Sequence, residues 1–330
     1  MFEIIHPDYF NNLMVQRPHH LLREFAKQGY VSIIHNIREK HKGVTEKEKN
    51  YFIYKGIFPP PNKQGKRILW MSYPPLYKNI GRYNGDLLVF DCLDYPGNQF
   101  THWKRGLKQL REMADIIFVT SEKLLEFNKD YREKTYICRN GADFEHFSKA
   151  ADTSLEIPQD TKNIKKPIVG YIGAVADWID WRLIRYLAAK NEFSLVFIGP
   201  LFRIPRIPVM KNNVFFLGEK QYECLPNYLQ LFDVCIIPFR KNSLTGACNP
   251  VKMYEYLSAG KPVVATDLDE CRVDVVDTCK TYEDFYRCIA RYINNAGQTN
   301  DIRKRMLFAN ENSWETRVKF IRSVVEPRLK

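Results

Sequence analysis

The stretch "NPVKMYEYLSAGKPVVAT", Asn249–Thr266, sets a lysine and a glutamate three residues apart where a helical pattern opens. Asn249 is expected as the N-cap and Pro250 as the first helical residue, so Lys252 falls in the first turn. A cation is disfavoured there, because the helix dipole and the open N–H groups of that end attract negative charge. The same features suit a phosphate, and an ammonium beside those N–H groups makes sense if both face one diphosphate. Glu255 lies on the same face and could accept hydrogen bonds from a ribose diol. The ordinary alternative is a solvated Lys252–Glu255 pair, worth roughly 0.2–0.5 kcal/mol.

Other chemistry-bearing residues fall at predicted strand ends. In "GYIGAVADWIDW", Gly170 and Gly173 surround a βα turn of the kind that brings backbone N–H groups to a pyrophosphate. The chain has no GxGxxG after its first strand, which disfavours a nicotinamide enzyme, and no Walker A loop, which removes the P-loop ATPases. "LLVFDCLDYPGNQF" places Asp91 at the end of a buried strand and Asp94 three residues on. Open α/β sheets bind ligands at that edge, so either carboxylate could act as general base; the alternative is a turn cap and a solvated side chain. In "VQRPHHLL", Gln16 and Arg17 open a helix where they could meet an anion or an acceptor, and His19 and His20 read as surface or packing residues. "DLDE", Asp267–Glu270, has the form of a divalent-metal aspartate pair but reads better as the opening of a turn. No GxSxG elbow is present.

These residues need a framework of alternating strands and helices. Strands are expected at Phe2–His6, Val31–His35, Arg67–Met71, Leu87–Phe90, Ile116–Thr120 and Thr135–Cys138, with a helix near Val15–Lys27. A polar stretch from Ala150 to Lys166 reads as an interdomain linker. A second alternation follows: "PIVGYIG", a helix capped by Asp177, "SLVFIG", a helix around Tyr222–Leu231, "DVCIIPF", the Lys252 helix, "KPVVAT", and a helix around Tyr282–Asn294. The simplest architecture is two doubly wound lobes facing across a cleft, at 1–155 and 156–311. A final amphipathic helix in 312–330 carries Trp314, Val318 and Ile321; it packs either on its own lobe or back on the first.

A chain of 330 residues suits two domains rather than one core. Its net charge of +12 points to anionic partners, but the basic residues are dispersed, and no recognition helix, zinc module or RNA-binding aromatic signature supports nucleic acid. Cys92, Cys138, Cys224, Cys235, Cys248, Cys271, Cys279 and Cys288 form no CxxC pair and read as reduced core residues. With no leader pattern and no run long enough to span a bilayer, the expected location is the cytoplasm.

Taken together, "NPVKMYEYLSAGKPVVAT", "VGYIGAVADWIDW", "LVFIGP", "VFFLGEKQYECLPNYLQLFDVCIIPF", "RNGADFEHF" and "QRPHHLL" resemble the GT-B glycosyltransferases, in the group related to family four that builds teichuronic acids, capsules and other bacterial surface polysaccharides. The resemblance implies two Rossmann-like domains, the first binding an acceptor and the second a nucleotide-sugar donor, with a C-terminal helix returning to the first. It places Glu255 on the donor ribose, Lys252 near the diphosphate, Gly173 and Ala174 facing the phosphates, Gly218 framing the base, and Asp91 and Asp94 on the acceptor side. Retaining members commonly carry a second glutamate eight positions before the ribose one, where this chain has Ala247. That departure, with a carboxylate available in the first lobe, leans towards inversion with Asp94 as base and Asp91 as its neighbour or substitute. The expected enzyme needs no metal or other cofactor. It moves sugar from a UDP- or GDP-type donor to a lipid-linked glycan, held on an anionic membrane face by contacts of about 1 kcal/mol per well-placed basic residue. The alternatives are a nucleotide-sugar epimerase of the same fold and a basic nucleic-acid binder.

Overall fold

A computed structural model describes residues 2–9, 15–60, 63, 65–152, 154–204, 211–295 and 299–329. The chain divides into two units, Met1–Asn140 with Trp314–Lys330, and Gly141–Ser313.

The first unit is built on strands β1 (Phe2–Asp8), β2 (Val31–Asn36), β3 (Gly43–Glu48), β4 (Tyr51–Lys55), β5 (Lys66–Met71), β6 (Leu87–Cys92), β7 (Ile116–Val119) and β8 (Thr135–Ile137), in the order β3-β4-β2-β1-β5-β6-β7-β8. The β3–β4 pair is antiparallel and the other pairs are parallel. Central strands such as "LLVFDC" are buried along their whole length, as a sheet covered on both faces requires. The β3–β4 ribbon was not expected from sequence: β3, "GVTEKE", has no buried residue and no apolar alternation to announce it. Helices α1 (Arg17–Lys27), α2 (Leu107–Met113) and α3 (Glu122–Phe127) connect the strands.

The second unit opens with α4 (Phe144–Phe147) and continues through β9 (Ile168–Ile172), β10 (Val175–Ala176), α5 (Trp181–Lys190), β11 (Ser194–Ile198), β12 (Leu201–Phe202) and β13 (Val214–Phe216). Then come α6 (Leu225–Leu229), β14 (Val234–Ile237), α7 (Val251–Ser258), β15 (Val263–Thr266), β16 (Asp277–Cys279), α8 (Tyr282–Asn294) and α9 (Thr299–Glu311). The main sheet is parallel with order β13-β11-β9-β14-β15-β16, so the winding reverses between β9 and β14. Ligands of doubly wound sheets bind at the carboxyl edge of such a reversal. Gly170 is a packing residue in mid-strand rather than part of the turn: a Cβ there would lie 2.0 Å from the Phe232 ring.

Three local expectations shift. The cap of α5 is Asp180, whose Oδ1 accepts from the N–H groups of Arg182 and Leu183 at 3.0 and 3.1 Å, while Asp177 pairs with Arg240 at 3.3 Å. The helix expected at Tyr222–Leu231 is a 3-10 turn, Tyr222–Cys224, followed by the short α6 with Pro226 in its first turn. The polar stretch 150–166 lies inside the second unit, tied there by Tyr228 Oη to Asp160 at 3.0 Å and Gln230 Nε2 to the Leu155 carbonyl at 3.1 Å. The boundary falls instead at Asn140/Gly141.

Helix α10 (Trp314–Val325) belongs to the first unit. Its buried stripe of Trp314, Val318, Ile321 and Val325 follows helical spacing, and each side chain so buried contributes about 1.5–3 kcal/mol. Trp314 stacks on His20 of α1 at 5.1 Å, and Arg322 donates to Gln28 Oε1 at 2.9 Å. His20 is thus a packing residue, as expected. Of the cysteines, all free, Cys224 departs from the core reading by being exposed.

Candidate functional site

Helix α7 starts one residue later than its sequence suggests. Pro250 is the N-cap, and it offers no side-chain cap. Asn249 is buried, and its Nδ2 donates to Tyr254 Oη at 3.2 Å and to Glu270 Oε2 at 3.1 Å. Asn249 therefore fastens the loop before α7 to the Asp269–Cys271 turn and is not the cap. Lys252 remains in the first turn.

The Lys252 ammonium lies over two aromatic faces, 5.3 Å from the Tyr171 ring centroid and 5.0 Å from that of Phe239. Such seats favour a cation without neutralising it. Tyr171 is in β9 and Phe239 follows β14, the strands that flank the winding reversal. The Lys252 stem lies against Gly173, where a Cβ would stand 3.0 Å from Lys252 Cε and 3.2 Å from Nζ. Among the described residues Lys252 makes no hydrogen bond or ion pair, so the ordinary Lys252–Glu255 surface pair does not form. Glu255, half-buried, has its pKa pushed up to about 7: burial raises it, Lys252 opposes, and Asp143 adds a smaller push upward.

The loops around Lys252 are joined through their backbones. Gly173 donates its N–H to Ile198 O at 2.8 Å, and Gly199 donates to Gly218 O at 2.9 Å. Tyr171 Oη donates to Ala174 O at 2.9 Å. Gly199 has φ +143°, and a Cβ on it would meet Gly173 O at 2.1 Å, so the carboxyl ends of β9 and β11 touch backbone to backbone. Gly173, Ala174 and Gly218 thus belong to one assembly, but the Gly173 N–H is already spent within it. Ala247, eight residues before Glu255, is buried in a 3-10 turn, Thr245–Ala247.

In the first unit the two aspartates have opposite environments. Asp91 is fully buried at the end of β6; Arg17 Nε donates to its two oxygens at 3.2 and 2.9 Å, and Trp70 Nε1 donates to Oδ2 at 3.1 Å. Arg17, itself buried, also holds Arg139 O and Asn140 Oδ1, at 3.1 and 3.2 Å. Arg17 and Asp91 thus hold each other, while Arg17 Nη2 is buried without a hydrogen-bond partner among the described residues. Asp94 is half-buried and makes no hydrogen bond or ion pair among the described residues; burial pushes its pKa up to about 6. Gln16 is exposed, and its N–H donates to His19 Nδ1 at 3.1 Å.

Sequence reasoning missed Tyr171 and Phe239, the aromatic seat of Lys252. Their signal is position alone, two residues before Gly173 and two after the β14 run "VCII". The two "DLDE" aspartates are engaged by cations: Asp267 pairs with Lys241 at 3.0 Å and with Arg272 at 2.6 Å, and Asp269 with Arg272 at 2.9 Å. Among the described residues no group of three or more His, Cys, Asp or Glu is arranged as a metal site.

Residues 166–295 match the family model described as Glycosyl transferases group 1. Sucrose-phosphate synthase from Thermosynechococcus elongatus is similar with a TM-score of 0.70 at 13% identity, covering 99% of each chain. HepE of Anabaena, solved with UDP and glucose, is similar with a TM-score of 0.69 at 13% identity, covering 98% of this chain and 99% of that one. The fold is GT-B, and residues 166–295 are similar to the group 1 glycosyl transferases. Within this GT-B chain the group 1 match contains Gly173, Ala174, Gly218, Asn249, Lys252 and Glu255. The chain is also 29% identical over 243 residues to the Putative teichuronic acid biosynthesis glycosyltransferase TuaH of Bacillus subtilis (strain 168). That match covers 63% of this chain and spans 58% of the length of the relative.

Proposed function

We propose that the protein is a glycosyltransferase that moves a sugar from a nucleoside diphosphate sugar, of UDP or GDP type, to a hydroxyl of a lipid-linked bacterial surface glycan. The observation that carries this reading is Lys252: an ammonium at the start of α7, seated on two aromatic faces and on Gly173, with no carboxylate on it among the described residues. The diphosphate takes its place against Lys252 and the first-turn N–H groups, with Ala174 beside them in place of the spent Gly173 amide. Glu255 accepts from the ribose diol, and Gly218 borders the base. As the glycosidic bond to the diphosphate breaks, charge builds on the leaving oxygen, and Lys252 with the helix end stabilises it. This charge handling requires no metal ion, so EDTA leaves the rate unchanged.

On the acceptor side Asp94 is the base. Among the described residues it is unpaired, and its pKa of about 6 leaves it ionised at neutral pH yet basic enough to draw a proton from an attacking hydroxyl. In-line attack with Asp94 as base inverts the anomeric centre. Asp91 and Arg17 hold the β6 end and the α1 start together behind it, and the exposed Gln16 is left to contact the acceptor. The relative named for teichuronic acid biosynthesis and the neighbour solved with UDP and glucose support a UDP-sugar and an anionic cell-surface glycan.

The membrane contact falls on the tip after β4. Ile57 and Phe58 are 54% and 60% exposed there, the exposed Lys55 lies two residues before Ile57, and the exposed Lys42 has its Cγ 3.6 Å from where a Cβ on Gly56 would stand. Two apolar side chains with nearby lysines suit an anionic lipid surface on the cytoplasmic face of the plasma membrane. No helix among the described residues is long and apolar enough to cross a membrane.

The deciding experiment incubates the protein with labelled UDP- or GDP-sugars, with and without lipid-linked glycan from a polysaccharide-producing bacterium. Label in the lipid-linked product supports transfer. An isomerised sugar nucleotide formed from donor alone would establish the epimerase instead. Flotation with anionic vesicles at low salt, lost in Ile57→Ser/Phe58→Ser, tests the docking tip; wild-type protein that fails to float removes it.

A further inference from the structure

The second unit has a cavity of about 590 Å³ at the edge of its sheet opposite Lys252. It is lined by residues that precede the strands, including Lys166 before β9, Asp233 before β14 and Lys261 before β15, and by Tyr292 of α8 and Arg305 of α9. Parts of five elements distant in sequence thus converge away from the nucleotide-facing edge.

The charges in this cavity do not cancel. Asp233 is spent: its Oδ2 accepts the Ile168 N–H at 2.7 Å and its Oδ1 faces Lys166 Nζ at 3.5 Å. Arg291, also in the lining, pairs with Asp277. Lys261 Nζ donates to Gln230 O at 2.8 Å and meets no carboxylate within ion-pair distance among the described residues. Arg305 is only 7% exposed, lies 5.4 Å over the Tyr292 ring centroid, and gives Gly260 O one hydrogen bond at 3.1 Å. A guanidinium has five N–H donors, and those beyond this bond meet no acceptor among the described residues. Those spare donors are not sealed from solvent, so a ligand in the cavity can reach them. Burial lowers the Lys261 pKa, the direction expected of an ammonium waiting for a counter-charge. Asp301 and Asn295 complete the polar part of the lining and offer acceptors suited to hydroxyl groups.

We propose that this cavity binds a small phosphorylated, hydroxyl-bearing ligand of the sugar-phosphate class, its phosphate between Lys261 and Arg305 and its hydroxyls towards Asp301 and Asn295. The site is separate from the diphosphate site. Arg305 holds Gly260, just past the end of α7, whereas Lys252 lies in the first turn of the same helix.

The test is thermal stability of the full chain at constant ionic strength with chloride as reference. The probes are inorganic phosphate, glucose 1-phosphate and vesicles bearing a phosphomonoester headgroup. Lys252→Met protein is used in parallel to silence the diphosphate site. The expected result is a saturable rise in Tm with glucose 1-phosphate, at least tenfold tighter than with inorganic phosphate. It persists in Lys252→Met and in saturating UDP, and weakens at least tenfold in Lys261→Gln. Lys261→Gln carries the comparison even if Arg305→Met does not fold, and UDP binding by Lys261→Gln should match wild type. A shift absent with every probe, unchanged in Lys261→Gln, or abolished by Lys252→Met would overturn the proposal. Equal affinity for inorganic phosphate would overturn the sugar-phosphate assignment, and retention on the vesicles alone would overturn the soluble ligand. The deciding comparison, glucose 1-phosphate on wild type against Lys261→Gln without nucleotide, uses neither donor nor acceptor, so failure here is distinct from failure of the glycosyltransferase reading.

Discussion

Replacing Lys252 by methionine removes the ammonium while keeping most of the stem that lies against Gly173. Because no carboxylate among the described residues is paired with Lys252, the substitution strands no ion-pair partner there, and the folded state loses mainly two cation–π contacts of about 0.5–1 kcal/mol each. The variant therefore folds. In the UDP complex it lacks one charge-assisted hydrogen bond, worth roughly 1.5–3 kcal/mol, or about a 10- to 150-fold loss of affinity. Glu255 supplies a second readout. Lys252 holds its pKa down against burial, so without Lys252 it rises above about 7. A ribose diol needs the carboxylate as acceptor, so affinity for a UDP-sugar strengthens as pH rises through that pKa, and the limb moves to higher pH in the variant. Calorimetric titration with UDP-glucose between pH 6 and 9 measures both effects, and Glu255→Gln should flatten the limb. A folded Lys252→Met protein that binds UDP within twofold of wild type, or whose limb does not move, refutes the reasoning.

Asp94→Asn should lower turnover by about 10²–10⁴-fold and leave UDP affinity unchanged; wild-type kcat/KM should rise with pH through about 6, the pKa of the group that must be ionised. For stability the sign is opposite. A carboxyl whose folded pKa is raised contributes stability below its unfolded pKa of about 4 and loses it as pH rises to the folded value, so Asp94→Asn and Glu255→Gln should be relatively more stable at pH 8 than at pH 4 in urea titrations. Asp91→Asn should behave as a structural lesion, costing about 3–5 kcal/mol in urea unfolding because Arg17 is left buried without its partner. Gly199→Ala would set a methyl 2.1 Å from Gly173 O, and should cost about 1–3 kcal/mol and weaken UDP binding, which calorimetry on the folded fraction reads.

The local chemistry of α7 was legible because a cation beside a proline at a helix start contradicts the dipole, and Lys252 and Glu255 are neighbours by helical spacing alone. The strands were legible for a similar reason: runs such as "IIFV" in β7 are apolar throughout, which only a sheet covered on both faces explains. What failed to show was pairing across long separations. Arg17 and Asp91 are 74 residues apart, so nothing local tells that a guanidinium at a helix start is consumed by a strand-end carboxylate. Asn249 looks like a cap until Glu270, 21 residues on, is seen to accept its amide hydrogen. The stretch 150–166 has the composition of a linker, yet Tyr228 and Gln230 tie it into the second unit. Tyr171 and Phe239 read as core aromatics, and only the sheet order that sets β9 beside β14 makes them a seat for Lys252.

The most direct measurement is a crystal structure of the protein soaked with UDP-glucose. The account predicts the diphosphate within hydrogen-bond distance of Lys252 Nζ and the first-turn N–H groups of α7, with the ribose hydroxyls on Glu255. Nucleotide density elsewhere, with Lys252 still resting on Tyr171 and Phe239 and touching no phosphate, would contradict it.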